Sequence, residues 1–226
     1  MYAVVTTWRL HLTKTSDTER QDFIRGLVRR GISAAREQGV IDVVMIAVDP
    51  DLLIGVSLFE TLEEALATRP VALAFVANHY AENLELISRV TGQAYELADI
   101  SDLDVALIRQ ARETHGASRQ QMVAHLATWR LEPPVRPPDE LLPFLREVMS
   151  HRLPEMLELG LMEALWVRTS DDTVLVVRLT DHPEALDVLY SDDTLAESAQ
   201  LLAGKAALVE RSVGQAFDIP SLLGPD

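Results

Sequence analysis

Two four-residue strings recur in order along this chain and limit what it can fold into. Thr7-Trp8-Arg9-Leu10 returns as Thr128-Trp129-Arg130-Leu131, and Gly92-Gln93-Ala94-Tyr95 returns as Gly214-Gln215-Ala216-Phe217. The offsets of the two pairs differ by a single residue, so the halves are nearly collinear. Trp occurs only three times in 226 residues, which makes a matched pair poor material for coincidence. Gly39 and Gly160 hold equivalent places between these anchors, each after a helical pattern and before an apolar run. Self-similarity of this kind reads as duplication of a whole folding unit.

Each half reads β-α-β-β-α-β. In the first, Ala3 to Leu12 is strand-like, and Ser16-Asp17-Thr18-Glu19 is a capping box that opens a helix. Phe23, Ile24, Leu27, Val28 and Ile32 follow at helical spacing, and Gly39 stops the run. Val40 to Val48 and Leu52 to Glu60 are predicted strands around the turn Asp49-Pro50-Asp51. Leu62 to Val90 reads as helix broken at Pro70, and Gly92 to Ala98 as the last strand. The second half repeats the order. Its first strand is Val123 to Glu132, followed by a helix from about Asp139 that Pro154 should kink or split. Strands at Leu161 to Thr169 and Thr173 to Thr180 come next. Helical stretches at Pro183 to Leu189 and Thr194 to Arg211 precede a closing strand from Gly214. The predicted domains are residues 1–100 and 122–226, with 101–121 as a helical linker.

A β-α-β-β-α-β unit is the split ferredoxin-like motif, with helices on one sheet face and the other face bare. Bare apolar faces seek partners. The predicted fold class is therefore α+β: two ferredoxin-like β-α-β-β-α-β repeats forming an intrachain dimeric α/β barrel. The chain would be its own pseudo-dimer, with a further homodimer left open.

Composition narrows the function classes. With no cysteine, disulfides, thiol catalysis and thiolate metal sites are excluded. A net charge of −15 opposes binding to phosphate backbones, so no nucleic-acid partner is expected. No apolar run is long enough to cross a bilayer, and the N-terminus reads as strand without a signal pattern. A cytoplasmic protein without membrane contact is the expectation.

The strand Val4-Val5-Thr6-Thr7-Trp8-Arg9-Leu10, the capped first helix, the Asp-rich hairpin and the stretch Phe59-Glu60-Thr61-Leu62-Glu63-Glu64-Ala65-Leu66-Ala67 resemble the dimeric α/β-barrel superfamily. The nearest branch is the antibiotic-biosynthesis-monooxygenase-like domains. That resemblance implies a range of activities: cofactor-free quinol and polyketide oxygenases, haem-degrading monooxygenases, and members without known activity. Fold membership does not choose among them. Haem-degrading members carry a haem-ligating His on the second helical region and an Asn on the first strand. Here His79 falls about a turn late, Trp8 takes the place of the Asn, and Gln200 stands near the equivalent place in the second half. These departures speak against haem degradation, and no cofactor is expected.

Trp8 and Trp129 sit at matching strand positions and are candidate ligand-binding residues, together with His79. Alternation puts Val4, Thr6, Trp8 and Leu10 on one face. Such indoles either fill space between sheet and helices or wall a pocket for a flat apolar ligand. Arg9 and Arg130 face the other way, and Arg178 could share their face. Asp42 and Glu163 are candidate partners for these arginines. The six histidines do not repeat between halves, and pairs such as His79 with Glu82 or His151 with Glu155 lack a third ligand, so no metal site is expected. No nucleophile with a His and an acid at motif spacing appears, and no catalytic residue can be named. Two functions stand: a tandem α/β-barrel protein that binds a small apolar or aromatic molecule without chemistry, or a cofactor-independent monooxygenase-like enzyme on an aromatic or quinol-type substrate.

Overall fold

The computed structural model describes residues 1–12, 16–101, 122–180 and 200–218. The fold is α+β, with eight strands in antiparallel sheet and four helices among the described residues. The chain divides into two compact units: Met1–Gln93 with Gly214–Asp226, and Ala94–Val213. No described helix is long and apolar enough to cross a membrane.

Unit 1 contains β1 (Tyr2–Leu10), α1 (Asp17–Glu37), β2 (Val40–Asp49), β3 (Leu52–Phe59), α2 (Leu62–His79), most of β4 (Leu84–Glu96) and the end of β8 (Ala206–Asp218). Its strand order is β4-β1-β3-β2-β8. The capping box at Ser16 forms: the Glu19 amide donates to Ser16 Oγ at 3.3 Å, and the Ser16 amide donates to the Glu19 carboxylate at 2.8 Å. The Ser16 amide and hydroxyl, both donating to the Glu19 carboxylate, hold it below its usual value. Thr61 and Glu64 make the same box at the start of α2. The apolar stripe of α1, Ile24, Leu27, Val28 and Ile32, is buried together with Trp8, Leu10 and Leu53 of the sheet. Each such aliphatic side chain contributes roughly 1.5–3 kcal/mol of transfer free energy. Gly39 leaves α1 at φ 84°, and a Cβ there would lie 3.0 Å from the Glu64 carboxylate. A side chain at this exit would thus press on the cap of α2 as well as strain the backbone.

The second helical region differs from the sequence reading. Instead of breaking at Pro70, α2 runs through it and stops at His79, with Tyr80 as C-cap. Pro70 and Leu66 are exposed, so the carbonyl freed by the missing proline N–H can reach water. The chain then turns, the Asn83 and Leu84 amides both donating to Tyr80 O at 2.9 Å. Residues 84–90, expected as helix, are strand, because Leu84 and Leu86 take seats opposite Leu10 and Trp8 and are held there by packing that no local pattern announces. The β1–β4 register shifts between Thr7 and Trp8: Trp8 faces Leu86 while Thr7 faces Ser88, leaving Ile87 as a bulge.

Unit 2 contains the last three residues of β4, α3 (Leu97–Ile100), β5 (Val123–Leu131), α4 (Pro138–Glu158), β6 (Leu161–Arg168), β7 (Thr173–Thr180) and the first part of β8. Its strand order is β8-β5-β7-β6-β4. The helix is not split at Pro154; α4 is one helix through both Pro143 and Pro154, which lie on its exposed side. Its buried positions, including Leu141, Leu145, Met149 and Met156, pack on Trp166, Val174 and Val176. The closing strand begins at Ala206 rather than Gly214, so the helix expected to reach Arg211 ends earlier. The predicted linker helix, and most of the second half's second helical region, lie outside the described residues.

Gly214, where β8 joins unit 1, has a Cβ direction that meets Ala47 O at 2.3 Å and Ala47 C at 2.8 Å. Both are backbone atoms and cannot rotate away. Gly214→Ala should therefore destabilise the protein by roughly 2–4 kcal/mol, more than the loss of about 1 kcal/mol expected when Thr61→Ala removes the α2 cap. Urea midpoints of the two variants compare them directly, and equal midpoints would refute the close-approach argument.

Candidate functional site

In unit 1 the interval between the sheet and the two helices is not filled. A cavity of about 170 Å³ lies there. Trp8, Phe59 and Phe75 give it large walls, while small residues such as Gly31, Ala35 and Ala72 leave the space open. Gly31 matters to the helix pair: a Cβ there would meet the Phe75 ring at 3.6 Å. The volume is of the order that accepts a single aromatic ring in apolar protein interiors.

Most of the wall is apolar; the charged exception is Arg89. It stands opposite Thr6 in the β1–β4 ladder, beyond the Ile87 bulge, and so shares the helix-facing side with Trp8 and Leu86. Its Nη2 donates to Ala65 O at 2.7 Å and to Thr68 Oγ1 at 3.0 Å. Thr68 is itself buried and donates to Ala65 O at 2.9 Å. Burial, and secondarily the charge of Arg69, pull the Arg89 guanidinium below the ordinary arginine value. No Asp, Glu, His or Lys is among the lining residues, so the wall offers a positive charge and hydroxyls but no general base.

The three residues singled out from sequence are placed differently. Trp8 is 7% exposed and forms part of the cavity wall. Trp129 is partly buried against the core of unit 2. His79 is exposed at the end of α2, with its ring 5.2 Å from Phe75 and 6.4 Å from Tyr80, and is not among the lining residues. None of the described lining residues is a histidine, so the cavity supplies no imidazole as axial ligand to a haem iron. Among the described residues no three His, Asp or Glu cluster as metal ligands. Arg9 bonds to Glu85, its partner across the β1–β4 ladder, at 3.5 Å; Asp42, the partner expected from sequence, sits on another strand. Arg178 does not share the face of Arg130: it lies on the face of Val174 and Val176, which pack in the core of unit 2.

Arg89 was missed in sequence, although a signal was there. An arginine stands three residues before each Gly-Gln-Ala string, as Arg89 and as Arg211. A second comparison separates the halves. The sixth residue after Gly39 is Met45, which lines the cavity; the sixth after Gly160 is Trp166, 2% exposed in the core of unit 2. An indole there occupies volume that a thioether leaves free.

Unit 2 carries a buried titratable group. His125 on β5 is 1% exposed and stands opposite Arg178 in the β5–β7 ladder. Burial, and then the charges of Arg178 and Arg211, pull its pKa down to about 3. The imidazole is therefore neutral in the folded protein at neutral pH. The unfolded chain takes up this proton near pH 6.5 and the folded chain does not, so stability is full above that value and is lost as pH falls toward about 3. His125→Leu should flatten the acid limb of the stability profile by on the order of a few kcal/mol. Urea melts between about pH 7 and about pH 4 test this, and parallel profiles for the two proteins would refute it.

No protein-family model matches the chain, and no curated protein matches it. Solved structures do. A crystal structure of a "putative monooxygenase" from Lactobacillus acidophilus NCFM aligns over 96% of this chain and 94% of its own, at TM-score 0.57 and 11% identity. A protein of the same description from Fusobacterium nucleatum aligns over 96% and 93%, at TM-score 0.58 and 9% identity. A mutant chlorite dismutase from Candidatus Nitrospira defluvii aligns over 98% and 92%, at TM-score 0.56 and 12% identity. At such identities the likeness establishes a shared fold.

Proposed function

We propose that the protein is a duplicated pair of ferredoxin-like units, residues 1–100 and 122–226, of the dimeric α/β-barrel superfamily and its antibiotic-biosynthesis-monooxygenase-like branch, and that unit 1 binds a small apolar or aromatic molecule. The observation that carries the reading is the cavity between the sheet and α1 and α2, with Trp8 on its wall. Apolar surface there has no partner side chain, so a flat ligand gains both transfer free energy and ring contact. His79 has no direct contact in this reading and acts only by packing on Phe75.

A second reading is favoured by the monooxygenase names of two structural neighbours. In it the cavity holds a quinol-type substrate that reacts with dioxygen without a cofactor. The protein supplies a dry site and the Arg89 charge, and the substrate supplies the electrons. None of the described lining residues is a base, so in this reading the substrate loses its proton to water or arrives already ionised. Dioxygen uptake with an anthrone or a hydroquinone, measured against the rate without protein, separates the readings; equal rates would leave binding alone.

Binding itself is checked by fluorescence. Titration with 1,4-naphthoquinone should quench tryptophan emission, and Trp8→Phe should remove more of that quenching than Trp129→Phe. A saturable signal that survives Trp8→Phe intact would place the ligand elsewhere.

A further inference from the structure

We infer that the ligand of unit 1 carries a carboxylate on its apolar body, held at the Arg89 end of the cavity between Arg89 and Arg69. This rests on the cavity-binding reading above and deepens it.

Arg89 is a half-buried guanidinium with no counter-charge among the described residues. Both hydrogen bonds of Arg89 to the protein leave from Nη2 and end on neutral oxygens. Its Nε and Nη1 make no bond among the described residues, and it has no ion pair there. A guanidinium carries five N–H donors, so three remain for another molecule. Arg69 likewise makes no ion pair among the described residues. It lines, with Arg89, Ser88 and Thr91, a shallow hollow of about 530 Å³ on the far side of Arg89. Arg89 thus belongs to both hollows, the apolar cavity and this one, whose wall also holds Leu66, Leu86 and Ile87.

The chain has 35 acidic residues against 20 basic ones, so carboxylates are abundant. No Asp or Glu is among the described residues that line the hollow shared by Arg69 and Arg89. An incoming carboxylate would relieve the mutual repulsion of Arg69 and Arg89 and offset the desolvation of Arg89. Charge-assisted bonds to a planar guanidinium suit that group, and its apolar remainder would lie toward Trp8.

The test compares 4-ethylbenzoate with its neutral isostere 4-ethylbenzamide by titration calorimetry on the full chain near neutral pH. The acid should bind at least about tenfold more tightly than the amide, and added salt should narrow the difference. Arg89→Gln should erase the preference by weakening the acid while leaving the amide unchanged. Arg69→Gln, on the exposed side of α2, should erode it partly; it decides the matter alongside the wild-type comparison if Arg89→Gln fails to fold. Equal affinities of acid and amide in the wild type would overturn this inference and leave the cavity reading standing. Binding of neither would overturn both. A preference untouched by Arg69→Gln would remove Arg69 from the site.

Discussion

The bulge at Ile87 governs what unit 1 can do with its last strand. Before the bulge, Leu84 and Leu86 sit opposite Leu10 and Trp8 and face the helices; after it, Arg89 sits opposite Thr6 and faces the same way. With unbroken alternation Ser88 would occupy that side and Arg89 would point to the other face. One extra residue therefore exchanges a serine for a guanidinium in the cavity wall. Bulges re-aim side chains in this manner, and their local cost is a lost ladder bond and an exposed residue, here Ile87 at 45% exposure.

Most of the fold was legible, because it rests on local rules. The box at Ser16, the turn at Asp49-Pro50-Asp51 and the left-handed exits at Gly39 and Gly160 are consequences of residue chemistry that a sequence displays. The errors lie where tertiary packing overrides such rules. Leu84 to Val90 has residues acceptable to either a helix or a strand, and only the seats offered by Leu10 and Trp8 select strand. The prolines at 70 and 154 looked like breaks, yet each sits on the exposed side of its helix, where water takes the freed carbonyl. Of the candidate site, strand parity put Trp8 on the helix-facing side. Arg89 required the bulge, which no sequence pattern marks, although its recurrence as Arg211 was open to view.

The two units show how similar strings can serve different interiors. Unit 1 leaves room beside Trp8, with Met45 on the wall and alanines and glycine on the helices. Unit 2 places Trp166 in its core and packs α4 with Leu141, Phe144 and Met149. Its counterpart of Val4, counted from the shared Thr-Trp-Arg-Leu string, is the buried His125, kept neutral by burial and by two nearby arginines. The open space in unit 1 forgoes the dispersion contacts that side chains filling it would add.

The open interior also limits which chemistry unit 1 can support. A reaction that begins by removing a proton needs a base within hydrogen-bond reach, and none of the described lining residues is one. A guanidinium in a largely apolar cavity acts in the opposite sense, favouring whichever form of the ligand is negative. The Arg89 charge would lower the pKa of a phenol or acid bound beside it, against the desolvation that raises it. The oxygenase reading and the inference of a carboxylated ligand thus converge on one requirement, an anion beside Arg89. They part at whether that anion is electron-rich enough to react with dioxygen, which is a property of the ligand rather than of the wall.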